Sequence, residues 1–203
     1  MTGLILKDLF NLKRHSKIYL ILIAFYIVLG AVNGDFVMFG SMITVLAAMM
    51  PITSMAYDEK NNWDRYALTM PVSRINLVLS RYVLGLIFLI VSFAITILLM
   101  ATLGKTPLIE AAAFGSGIFV TGIIFMDIVL PILFKYGVEK GRVFMMLVLF
   151  APAGALVVFS KLGFTFPEEP PIKNLIYLLP LITAAVSAVS IYASIVIYRE
   201  KEF

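Results

Sequence analysis

From Phe36 to Ala56 the chain runs without a single charged side chain. A membrane-crossing helix needs about 20 mostly apolar residues at a rise of about 1.5 Å each. That stretch alone meets the requirement, and it is not alone. Of the 203 residues, 62% are hydrophobic and 14% are charged, with a mean hydropathy of +1.02. Soluble domains lie near 45–50% apolar and about 25% charged, and a domain of this length has too little interior to hide the excess. A soluble enzyme, a disordered chain and a nucleic-acid-binding domain are therefore excluded. The net charge of +4 then points to basic loops at a membrane rather than to nucleic acid. With no Cys and one His, disulfide frameworks, Cys-rich metal sites and thiol catalysis are excluded as well, and no metal site is expected.

Hydropathy predicts six spans: about 18–32, 36–56, 82–103, 111–134, 143–159 and 175–198. The first is short. It does not read as a signal peptide, because 17 residues precede it and a second span follows within three residues. With the N-terminus inside, Lys7, Lys13, Arg14, Lys17, Lys60, Arg65, Arg74, Arg81, Lys135, Lys140, Arg142, Arg199 and Lys201 fall on the cytoplasmic side. Those are 13 of the 16 basic residues, leaving Lys105, Lys161 and Lys173 outside. Both termini are then cytoplasmic. The longest external loop, 160–174, contains Pro167, Glu168, Glu169, Pro170 and Pro171 and reads as extended. The expected fold is all-α and polytopic: one transmembrane domain over 1–203, with no internal repeat.

Apparent catalytic motifs fail on inspection. Gly104-Lys105-Thr106 resembles the tail of a phosphate-binding loop, but Leu99 stands where that motif needs its first Gly. Glu168-Glu169 resembles the paired glutamates of intramembrane CAAX-type proteases. Lys173 stands where that motif wants Arg, and the only His, His15, precedes the first span.

Asp127 is different, since an ionisable group inside a span suggests function by default. Pro131, four residues on, has no amide hydrogen for the Asp127 carbonyl. Two readings stand. Asp127 is a structural partner for Arg81, Lys135 or Arg142, or it is a gate or substrate contact. Pro51, Pro152 and Pro180 free the carbonyls of Ala47, Val148 and Ile176 in the same way.

Two amphipathic elements lie on the inner side. In residues 1–16, Ile5, Leu6, Leu9, Phe10 and Leu12 form an apolar face against Lys7, Asn11 and Arg14. This fits an interfacial helix with its basic side towards anionic headgroups. In the loop 57–73, Asn61 is expected to cap a helix whose stripe is Trp63, Tyr66, Ala67 and Met70. Pro71 ends it, and Ser73 caps the next helix. So short a helix is unstable alone in water and needs a surface to rest on. That surface is either the membrane interface or a groove on a partner.

Three stretches carry a family resemblance: Gly3-Leu4-Ile5-Leu6-Lys7-Asp8-Leu9, the loop from Tyr57 to Arg74, and Phe134-Lys135-Tyr136-Gly137-Val138-Glu139-Lys140-Gly141-Arg142. They resemble the permease subunits of bacterial type-2 ATP-binding-cassette transporters, in the small six-span branch that includes the phenol-soluble modulin exporter of staphylococci. The resemblance implies a bacterial plasma-membrane protein. Its first cytoplasmic loop would be a coupling helix seated on an ATPase subunit, with Asp58, Glu59, Asn61, Trp63, Asp64, Arg65, Tyr66 and Met70 at that contact. Lys135, Glu139, Lys140 and Arg142 would form the second cytoplasmic loop. ATP and Mg would sit on the partner ATPase. This chain would carry no catalytic residue and no cofactor.

The leading expectation is a permease working as a homodimer or beside a sister permease and exporting amphipathic or antimicrobial peptides. The pairs Gly30/Gly34, Ala111/Gly115 and Ala184/Ala188 allow close helix contact. The 16 Phe and 11 Met suit adaptable walls for peptides or lipids. The alternative is a six-span substrate-capture component of an energy-coupling-factor vitamin importer. Against it, Ala24 is followed four positions later by Val28, and polar groups to grip a vitamin are sparse.

Overall fold

The computed structural model describes the backbone of residues 2–13, 16–67, 69–70, 72–162 and 173–201, and their side chains except at 16, 153, 155, 156 and 173–178. All the regular structure there is helical. Seven helices follow one another: α1 (Thr2–Lys13), α2 (Ser16–Asn33), α3 (Phe36–Lys60), α4 (Trp63–Ala67), α5 (Arg74–Thr102), α6 (Leu108–Lys161) and α7 (Lys173–Glu200). Without water in a bilayer, only internal hydrogen bonding satisfies such apolar backbone, and a helix provides it locally. Two of the helix starts have side-chain caps. Asp35 accepts from Met38 N–H at 2.9 Å to open α3, and Ser73 accepts from Asn76 N–H at 3.2 Å to open α5, as its position predicts.

Among the described residues, four helices are long and apolar enough to cross a membrane: α3, α5, α6 and α7. The bent pair α1 and α2 would make a fifth. The 54 residues of α6 would extend about 81 Å as one rod, far beyond a hydrocarbon core of about 30 Å. It is not one rod. Gly137 sits at φ 80 and ψ 170 and breaks α6 into a first limb, 108–136, and a second limb, 138–161.

α3, α5, α6 and α7 pack on one another, α2 lies against α3, and α1 crosses the ends of α3 and α5. The main core joins Ala48 of α3 and Val78, Tyr82 and Leu89 of α5 with Met126, Leu130 and Phe134 of α6 and Tyr198 of α7. A second cluster, Ile52, Val129, Leu133 and Val138, ties α3 to both limbs of α6. In lipid, packing rather than the hydrophobic effect holds helices together, so close approach matters. A Cβ on Gly85 would collide with Met126 and press on Pro51, which marks where three helices meet. Gly115 rests on Phe93 and Ile97 of α5, so the Ala111/Gly115 pair serves packing within the chain. Ala184 and Ala188 lie exposed on α7.

Large apolar side chains cover the outside. Ile18, Ile21, Phe25 and Val28 of α2 and Val143, Leu147 and Phe150 of the second limb are all more than half exposed. Such a surface suits lipid. The basic side chains gather where α3 and α7 end, where α5 begins and where α6 breaks. This is called the basic end below. The expected stop at Pro71, the extended stretch 163–172 and His15 lie outside the described residues.

Candidate functional site: a buried ion cluster and a broken helix at the basic end

α1 presents Leu4, Asp8 and Leu12 to the bundle, four residues apart on one face. Asp8 is fully buried. Facing it, Arg81 projects from the second turn of α5, also buried. One Arg81 Nη donates to Asp8 Oδ2 at 2.6 Å and to Ser54 Oγ at 2.9 Å; the other donates to Asp58 in the last turn of α3. Lys7 completes the group, donating to the two Asp58 oxygens at 2.8 and 2.7 Å and lying 3.1 Å from Asp8. Two cations and two carboxylates balance, which is the condition for burying any of them.

This arrangement corrects two expectations. Lys7 does not turn towards headgroups. It turns inward because Asp58 and Asp8 need its charge. Leu6, Leu9 and Phe10 face outward instead. Nor does Arg81 pair with Asp127, since its guanidinium is already committed to Asp8 and Asp58.

α4 sits beside the cluster. It has five residues, shorter than the expected helix from Asn61 to Met70. Asn61 does not cap it. It closes α3, its side-chain nitrogen donating to the Tyr57 carbonyl at 2.9 Å, and Asn62 makes the turn at φ 50. The predicted stripe is divided. Ala67 is buried and Trp63 is half-buried, with Lys7 Nζ 4.4 Å above its ring. Arg65, Tyr66 and Met70 are exposed, Tyr66 at 59%. Asp64 is partly buried, and this pushes its carboxyl above the usual range. Arg81 draws it back and Asp58 adds to the rise.

The break in α6 is clamped from outside. In an unbroken helix, Val138 N–H would donate to the Phe134 carbonyl. Here Val138 N–H donates to Glu59 Oε2 at 2.6 Å, and Lys201 Nζ donates to the Phe134 carbonyl at 3.2 Å. Both groups orphaned by the break thus find charged partners on α3 and at the end of α7. Arg74 in turn donates to the Arg199 carbonyl at 2.5 Å and reaches those of Tyr198 and Lys201 at 3.4 Å, closing α7. Lys135, Glu139, Lys140 and Arg142 flank the break and are exposed.

Asp127 lies apart. It is buried, its Oδ2 accepts from Ser187 Oγ at 2.5 Å, and its Oδ1 has no hydrogen-bond partner among the described residues. No ion pair reaches it among the described residues, and Lys135 instead lies over the Tyr136 ring. The carbonyl that Pro131 frees accepts from Ser190 Oγ at 2.5 Å. Since Ser190 spends its proton there, Tyr82 must donate to Ser190 and accept from Ser194, both at 2.7 Å. The result is a hydroxyl chain joining α5, α6 and α7.

The sequence reading missed Asp8, Gly137, Lys201 and the Tyr82 chain. Only Asp8 left a trace. An acid midway between Leu4 and Leu12 on an inward face requires a cation opposite it. Among the described residues, no cluster of His, Asp and Glu is arranged to hold a metal ion.

With this geometry in place, comparison with known families is decisive at one level. A family model described as "ABC-2 family transporter protein" matches residues 3–199. The chain belongs to this family. It is a multi-pass membrane protein of the ATP-binding-cassette transporter class, an ABC-2 type permease. The match lends no support to a vitamin-capture component. No curated protein matches the chain.

Proposed function

We propose that the chain is the membrane-spanning subunit of a bacterial ABC exporter of amphipathic peptides, driven by a separate cytoplasmic ATPase. In this reading it crosses the plasma membrane six times. α2, α3, α5, the two limbs of α6 and α7 are the spans, and both termini are cytoplasmic. It works as a dimer or beside a sister permease, with the exposed Ala184 and Ala188 of α7 available for helix contact. ATP and Mg stay on the ATPase, and this chain performs no covalent chemistry.

The observation that carries the reading is the divided face of α4. Its inner side, Trp63 and Ala67, is held by the core and by Lys7. Its outer side offers Arg65 and Tyr66 to a partner, with Met70 exposed just beyond its end. Aromatic and Arg side chains are the usual anchors of such contacts. From α4 the path inward is short. α3 ends two residues before it, and the last turn of α3 carries both Asp58 and Glu59. Asp58 holds α1 and α5, and Glu59 holds the break in α6. A push on α4 therefore reaches three helices through two neighbouring carboxylates.

The test is co-purification with the ATPase, followed by ATP-dependent uptake of amphipathic peptides into inverted vesicles. Tyr66→Ala should weaken ATPase association by about 2 kcal/mol, roughly 30-fold, while membrane insertion is kept. Unchanged association with unchanged transport would refute the docking face. Trp63→Ala should act differently, by loosening α4 itself.

A further inference from the structure

A second feature of the basic end adjoins the clamp on the α6 break. Between α3 and the second limb of α6 runs a groove of about 860 Å³, within the range of about 300–1,000 Å³ seen for ligand pockets. Met49, Ile52 and Ala56 of α3 and Met145 of α6 give it apolar walls. Thr53 also lines it, and its hydroxyl meets the Tyr19 hydroxyl at 2.8 Å, which brings α2 up to the groove. Four charged side chains face it: Glu59, Lys60, Glu139 and Arg142. Glu59 is engaged by the Val138 amide. Among the described residues, neither Lys60 nor Arg142 has an ion pair. The rim thus carries two cations outside any ion pair and two carboxylates, of which Glu59 is turned to the Val138 amide.

The dimensions suit one occupant. From Lys60 back to Met49 the helix rises about 16 Å, close to half of a hydrocarbon core of about 30 Å. The groove therefore extends from headgroup depth to the middle of the bilayer, with Met49 its deepest lining residue on α3. Lys and Arg side chains in pockets between spans on the cytoplasmic side are where anionic headgroups bind. We infer that this groove is a binding site for a single anionic phospholipid of the inner leaflet. Lys60 and Arg142 hold the phosphate, and an acyl chain lies against Met49, Ile52 and Met145. Because Glu59 and Val138 form part of its wall, the headgroup would rest beside the clamp on the α6 break.

The experiment uses the whole chain in nanodiscs of phosphatidylglycerol or phosphatidylcholine. It is moved into detergent, and the retained lipid is counted by native mass spectrometry. Phosphatidylglycerol should be retained over phosphatidylcholine. The double variant Lys60→Gln/Arg142→Gln should lose that retention on the order of 10-fold, while Lys17→Gln, an exposed cation at the same end, should not. Thermal melts of each variant show whether it is folded, and the single variants serve if the double does not fold. Equal retention of the two lipids, or retention unchanged in the folded variants, would overturn the inference. So would displacement by an acidic amphipathic peptide that depends on Lys60 and Arg142 when lipid retention does not, because the groove would then be a cargo site. None of these readouts involves an ATPase, so a failed docking face leaves this result untouched.

Discussion

Two buried carboxylate sites in this protein are stabilised in opposite ways. At the basic end, Asp8 and Asp58 face Arg81 and Lys7, charge against charge. On the first limb of α6, Asp127 meets hydroxyls, with Ser187 on its carboxylate and Ser190 on its carbonyl. The difference follows from location. The ends of α1 and α3 and the start of α5 converge at the basic end, so charged side chains from separate helices meet there, with Lys7 still partly open to solvent. The Asp127 seam lies between neighbouring lengths of α5, α6 and α7. There Ser and Tyr are short or rigid enough to fit. Ionic contacts therefore tie helix ends to one another, and hydroxyl contacts tie helix flanks.

The largest expected effect is Arg81→Ala. It strands Asp8 and Asp58 without their main cation and should lower stability by about 3–5 kcal/mol, read as a fall in melting temperature in detergent. A near-neutral result would mean that Lys7 alone suffices. Gly137→Ala comes next. Its φ and ψ belong to a region that side chains avoid at a cost of about 1–3 kcal/mol. The added Cβ would also lie 2.6 Å from Glu59 Oε1. The measurement is transport per ATP hydrolysed, which should drop more than ATPase activity does. Equal loss of both would separate the break from coupling.

Asp127→Asn tests the contrast directly. An Asn oxygen still accepts from Ser187 and brings no charge to bury, so stability should change by less than about 1 kcal/mol. A loss as large as that of Arg81→Ala would mean that Asp127 acts as a charge with a counter-ion. The smallest effect concerns Asp64. Its folded-state carboxyl titrates above the ordinary value, so the folded protein holds that proton to higher pH than the unfolded chain does. Stability should then fall as pH rises from the ordinary carboxylate value through the raised one. Asp64→Asn should remove that slope from melts taken across the range.

Much of this molecule was legible in the residues, and the reasons differ by feature. Charge-free apolar runs identify spans because a bilayer leaves the backbone no other solution. α3, α5 and α7 extend beyond their predicted spans because the helix continues through Asp58, Glu59 and Arg74, where hydropathy has already fallen. α6 was expected as two helices with a loop between them. It is instead one helix pair joined at a single glycine, since its two orphaned groups are caught by Glu59 and Lys201. The loop 57–73 was recognised by its aromatics, but periodicity alone could not divide them. Trp63 and Tyr66 share a stripe in sequence, and only the position of Lys7 and the core puts one inward and the other outward.

The sequence by itself determined the solvent of this protein, its helical class and the crowding of basic residues at one end. These follow from composition and local spacing, and each residue contributes to them independently of distant ones. Tertiary structure alone decided which charges are partners. Arg81 lies 73 residues from Asp8 and 23 from Asp58 along the chain, and although Asp8 shares an inward face with Leu4 and Leu12, nothing local names its partner. Burial makes the choice. A charge that enters the packed region must meet its opposite there or be excluded, and which helix ends converge is a property of the whole bundle.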